Sequence, residues 1–72
     1  MNPFELKQDL SANQGFFTLT LSDGRTFTVE HTDYILISPS GEHASFYPRE
    51  GGLRMLDVRQ ITSIEFAQNK AK

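Results

Sequence analysis

The sequence predicts a mainly β domain: a small, strongly bent barrel of five to six antiparallel strands with one short N-terminal α-helix. Three observations predict it. Apolar and polar residues alternate on both sides of an Asp23-Gly24 pair, the strongest short-range mark of a β-hairpin. Two later clusters, Pro39-Ser40-Gly41-Glu42 and Pro48-Arg49-Glu50-Gly51-Gly52, punctuate short apolar runs at close intervals. Helix-start signals occur only in the first few residues.

The helix is expected over about residues 3–12. Asn2 can cap it, Pro3 suits its first position and Glu5 completes a capping-box pattern. Leu6 and Leu10 lie one turn apart on one face. A helix this short persists only if those two leucines dock on a sheet. Asn13 or Gly15 is the expected left-handed cap.

The first strand is expected over about 16–21 and the second over about 25–30. Their register follows from the apolar rows. Phe17, Leu19 and Leu21 share one face, and Phe27 and Val29 share another. A two-residue Asp23-Gly24 loop would set each apolar row against threonines. A three-residue loop, Ser22-Asp23-Gly24, pairs Leu19 with Phe27 and Phe17 with Val29. All five then face the same side, so the expected turn is type I with Gly24 left-handed in a G1 bulge.

Glu30-His31-Thr32-Asp33 reads as a polar corner. The third strand, about 34–38, is Tyr34-Ile35-Leu36-Ile37-Ser38, apolar without alternation. Such a run suits a strand covered on both faces, or one bent within a barrel. Strands at about 43–47 and 53–58 follow. The three-residue spacing of Val58, Ile61 and Ile64 then indicates a 3₁₀ turn at Arg59-Gln60-Ile61. A last strand over about 62–66 ends the domain, and Ala67 to Lys72 read as a frayed polar tail.

So few short strands cover their own interior best by closing on themselves, as in an SH3-like or Sm-like small barrel. The expected core is Phe17, Leu19, Leu21, Phe27, Val29, Leu36, Phe46, Met55, Val58, Ile61 and Ile64. Leu6 and Leu10 would plug one end.

With 72 residues, the chain is one small domain with a stability of about 3–5 kcal/mol. It has no cysteine, hence no disulfide and no thiolate metal site. Seven basic and nine acidic residues give a net charge of −2, which offers no general attraction to nucleic acid, DNA or RNA, or to an anionic membrane. The first residues lack the order of a signal peptide, and no apolar run approaches the ~20 residues of a membrane span. The expected location is the cytoplasm.

The chain also resembles a known group. Leu21-Ser22-Asp23-Gly24-Arg25-Thr26-Phe27-Thr28-Val29-Glu30-His31-Thr32-Asp33-Tyr34, followed by Leu56-Asp57-Val58 and Ile61-Thr62-Ser63-Ile64-Glu65, resembles a family of short, uncharacterised bacterial proteins. Their pattern is a helix, L-S-D-G-R-x-F-x-V-x-H-x-D/E-aromatic, and a late I-T-x-I-E. That resemblance implies a fold and no activity. The order of helix, bent strands and 3₁₀ turn is more loosely similar to Sm-like proteins, including the Hfq RNA chaperones. Asn2-Pro3-Phe4 resembles the start of the Hfq helix and Ile61-Thr62-Ser63-Ile64 its last strand. This likeness implies RNA binding in a ring of subunits, with His31-Thr32-Asp33-Tyr34 near the loop whose Asp and aromatic residue help hold a base. The chain departs from the pattern at two places. Asp57-Val58-Arg59 stands near the Hfq Lys-His pair, and the second strand lacks the glycine of Sm strands.

Three constellations could carry chemistry. His31 and Asp33, with Glu30 beside them, could form an acid–base or metal cluster. The spacing fits better a turn in which Asp33 bonds backbone N–H groups, and no metal site is expected. Tyr34, Phe46 and Tyr47 with Arg49 and Arg54 could stack bases, although aromatics of a small barrel usually fill its interior. Phe16 and Thr18 face away from the core and could join subunits. Asp23-Gly24-Arg25 is explained by the turn alone, and no nucleophile motif is present. The reading is a non-enzymatic binding or assembly module without a cofactor, associating with itself or with a protein partner. Sm-like RNA binding through the Tyr34 corner is the alternative; the candidate ligand residues are His31, Asp33, Tyr34 and Arg54.

Overall fold

Leu19 pairs with Phe27 and Phe17 with Val29 across the first hairpin, formed by β1 (Phe17–Leu21) and β2 (Thr26–Val29). This is the register in which both apolar rows share one face. The Gly24 N–H donates to the Leu21 carbonyl and the Leu21 N–H to the Arg25 carbonyl, both at 2.9 Å, closing a three-residue loop. Asp23 fastens the turn, accepting the Arg25 N–H at 3.0 Å and the Arg25 guanidinium Nε at 2.8 Å. Gly24 has φ +94° and an added Cβ would meet nothing within 4 Å. Gly24→Val therefore carries a purely conformational penalty of about 1–3 kcal/mol. A thermal melt should read it as a fall of roughly 4–8 °C per kcal/mol.

The computed structural model describes residues 2–13 and 15–66; the expected frayed tail lies outside them. After the hairpin come a 3₁₀ turn at Thr32–Tyr34, β3 (Ile35–Ile37), β4 (His43–Phe46), β5 (Arg54–Asp57), a second 3₁₀ turn at Val58–Gln60 and β6 (Ile61–Phe66). The helix α1 spans Pro3–Ala12, with Asn2 Oδ1 accepting the Phe4 N–H at 2.7 Å. At its other end Asn13 is extended and donates its amide to the Asp9 carbonyl at 2.9 Å, while Gly15 takes positive φ. No helix among the described residues is long and apolar enough to cross a membrane.

The strands form two three-stranded antiparallel sheets, ordered β2-β1-β6 and β3-β4-β5. The closed cylinder expected from the sequence is not formed. Its two corners explain why. Between β2 and β3, and again between β5 and β6, the chain passes through a 3₁₀ turn. Backbone groups there bond three residues along, as Tyr34 N–H does to the His31 carbonyl at 3.0 Å, instead of extending a ladder. Isolated bonds tie the two halves together. Arg49 N–H reaches the Thr28 carbonyl at 2.6 Å.

The core lies between the sheets' inner faces. The hairpin contributes Phe17, Leu19, Leu21, Phe27 and Val29; Leu6 enters from α1; Ile35, Ala44 and Phe46 come from the second sheet; Val58 and Ile61 come from the second corner. The Phe27 and Phe46 rings meet edge to face at 5.5 Å across the two sheets. Leu10, Leu56 and Ile64 pack on the rim. Two expected core residues point the other way. Leu36 is 74% exposed and Met55 66%. Pairing of Ile35 with Phe46 and of Ile37 and Leu56 with Ala44 fixes the inward set, so their neighbours Leu36 and Met55 must face outward.

Candidate interaction face

The two sheets present opposite outer surfaces. On the first, the rows Thr28–Thr18–Glu65 and Thr26–Thr20–Ser63 face out. That is the polar face of an antiparallel sheet with one side in water. On the second, Leu36, Ser45 and Met55 form one row across β3, β4 and β5. Tyr47 donates its N–H to the Tyr34 carbonyl at 3.0 Å, which begins a second row that Leu53 completes. Tyr34, Tyr47 and Leu53 are each more than half exposed. Tyr34, Leu36, Ser45, Tyr47 and Leu53, together with Asp33 and Ile35, line a shallow hollow. None of the six residues in the two rows carries a charge.

The Tyr34 corner is built by the first 3₁₀ turn. His31 caps it, its Nδ1 accepting the Asp33 N–H at 3.0 Å. The neutral ring consequently carries its proton on Nε2. The histidine thus does the capping expected of Asp33, whose carboxylate lies 3.5 Å from Nδ1. Among the described residues no group of three His, Asp or Glu side chains could share a metal ion. The turn aims Tyr34 and Asp33 at the hollow, and the His31 ring centre stands 6.2 Å from that of Tyr34.

The basic residues expected beside the aromatics lie elsewhere. Arg54 is paired with Phe46 and so lies on the inner side of its sheet, at an exposed edge. Its guanidinium stands 5.3 Å from the Phe27 ring centre, with the Glu50 carboxylate 3.9 Å away. Arg49 covers the Phe16 ring at 5.2 Å and donates Nε to Glu30 at 2.6 Å. Phe46 is fully buried. Of the five residues considered for a stacking platform, Tyr34 and Tyr47 alone share the outer face. Phe16 is exposed but lies under Arg49, and Thr18 is half-buried with its hydroxyl 3.4 Å from that of Thr28.

Shifted acids mark turns. At the second corner the Arg59 side chain, helped by its backbone N–H, holds Asp57 down at about 2. The Arg25 backbone N–H, then its side chain, lowers Asp23. A carboxyl held this way stays ionised near neutral pH and has no proton to donate.

Sequence reasoning missed the apolar face as a unit. One signal was present: the unbroken Tyr34–Ile37 run asks for cover on both sides of β3. Comparison with protein-family models, with curated proteins and with solved structures returned no match.

Proposed function

We propose that this chain is a non-enzymatic binding module that works by covering the outer face of its β3-β4-β5 sheet with protein. One observation carries the reading. Tyr34, Leu36, Tyr47, Leu53 and Met55 stand exposed together, while the other sheet of the same molecule turns threonines, a serine and a glutamate to solvent. Contiguous apolar surface of this kind marks an interaction site in a small protein. The strand order supports a further reading, that the two sheets are halves of a split SH3-like or Sm-like barrel. β1 pairs with both β2 and β6, and the 3₁₀ turn stands before the last strand.

Sm-like RNA binding at Tyr34 has less support. Base-stacking sites draw on cations beside the aromatics, and here Arg54 lies on the inner side while Arg49 is paired with Glu30. A photo-crosslinking residue in place of Ser45, compared with one in place of Thr28 on the polar face, decides between them in extracts of its own cells. Protein adducts confined to position 45 are the expected result. RNA adducts there favour the alternative, and equal labelling at both positions overturns the reading.

A further inference from the structure

We infer that the occupant of this face is a second copy of the chain, docked face to face about a two-fold axis. The inference rests on the binding reading above and names its partner. Area is the first argument. Weighted by their exposures, the five apolar side chains leave roughly 600 Å² open, at the top of what a single monomer patch usually shows. A stable pair needs about 800 Å² from each partner. Ser45 and the rim residues Asp33 and His43, all on or beside this face, extend the patch beyond the five apolar residues.

Charge is the second argument. An isologous contact lays a surface onto its own copy, so a charge near the axis meets its like. The central positions hold none. Shape is the third. The face carries a hollow, lined by Tyr34, Leu36, Tyr47 and Leu53 with Asp33 at one side, and beside it Met55 stands 66% exposed. A two-fold pairing uses each feature twice, the Met55 of one copy entering the hollow of the other. The stacked sheets would lie about 10 Å apart, as in a β-sandwich. The sequence of β3 agrees. Its uninterrupted apolar run has one side covered in the monomer and gains cover on the other in the pair.

Analytical ultracentrifugation of the full chain from micromolar to near-millimolar concentration tests this, with Leu36→Glu, Met55→Glu and Thr28→Glu run beside it. The wild type is expected to move from one to two chains with concentration, and its melting temperature to rise in step. Leu36→Glu and Met55→Glu should be monomeric throughout and melt where the dilute wild type melts. Thr28→Glu, on the polar face, should pair as the wild type does. A wild type that stays monomeric while Leu36→Glu remains folded overturns the second copy and leaves the face to another protein. Pairing that survives Leu36→Glu and Met55→Glu also overturns it. Should those variants, and Leu36→Ser with them, fail to fold, the face is structural and both readings fall.

Discussion

Phe46→Ala is expected to leave most of the chain unfolded at 25 °C. Phe46 is completely buried, and its ring joins the second sheet to Phe27 of the first at 5.5 Å. Removing a buried Phe ring costs about 3–5 kcal/mol, the lost transfer energy plus the cavity left behind. A domain of this size has about 3–5 kcal/mol in total. The two are comparable, so the folded population collapses. A urea titration followed by circular dichroism should show no native baseline for Phe46→Ala. Phe46→Leu should keep a cooperative transition at a lower midpoint. Ser45→Ala, one residue away and facing out, should shift the curve by no more than about 0.5 kcal/mol. A midpoint for Phe46→Ala equal to the wild type would overturn this placement of the core.

That contrast between Phe46 and Ser45 shows how much of the fold was readable. β4 alternates, so Phe46 was evident as an inward residue, although Ala44, equally buried, was not assigned to the core. The hairpin was readable for a stronger reason: among the possible loop lengths, one alone unites Phe17, Leu19 and Leu21 with Phe27 and Val29. The helix bounds were set by Asn2, Pro3 and the leucine pair. In β3 this kind of argument fails. Tyr34-Ile35-Leu36-Ile37 is apolar at both parities, so nothing local decides whether Leu36 or its neighbours point inward. The decision is tertiary. Phe46 and Ala44 need partners of the same parity, and the turn at 38–42 delivers Ile35 and Ile37 to them. In β5, Leu56 is likewise drawn inward over the small Ala44, and the longer Met55 is left outside.

These two errors of parity concealed the candidate site. Leu36 and Met55, once assigned to the interior, left Phe16 and Thr18 as the candidate contact between subunits, and the structure sets the Phe16 ring beneath Arg49. Placed outside, they complete a face with Tyr34, Tyr47 and Leu53. The Tyr34 corner was therefore proposed from only part of the surface it belongs to. Its aromatic residue was visible in the sequence, though not its exposure, whereas its apolar neighbours arrive from β3, β4 and the entrance to β5. Closure was misjudged on similar grounds. The polar corner at 30–33 was recognised, but a 3₁₀ turn there withdraws backbone groups from any ladder between β2 and β3.

Gly41→Val is expected to destabilise the protein more than Gly24→Val does, by about 2–6 kcal/mol from two separate effects. Gly41 closes the turn after β3, its N–H donating to the Ser38 carbonyl at 2.8 Å with φ +80°. A β-branched residue at that φ is strained, as it would be at Gly24. Gly41 is also where this turn meets the helix: an added Cβ would stand 2.9 Å from Cβ and 3.2 Å from Cγ of Pro3. Those atoms belong to a rigid ring at the first helical position, so relief requires moving α1, which withdraws Leu6 from the core. The two effects separate in a double-mutant cycle with Pro3→Gly, which removes the opposing atoms. Pro3→Gly should rescue the packing part of Gly41→Val, a coupling of about 0.5–3 kcal/mol, and should leave the penalty of Gly24→Val unchanged. Additivity of Gly41→Val and Pro3→Gly would mean that the helix does not dock on this turn. The burial of Leu6 would then need another cause.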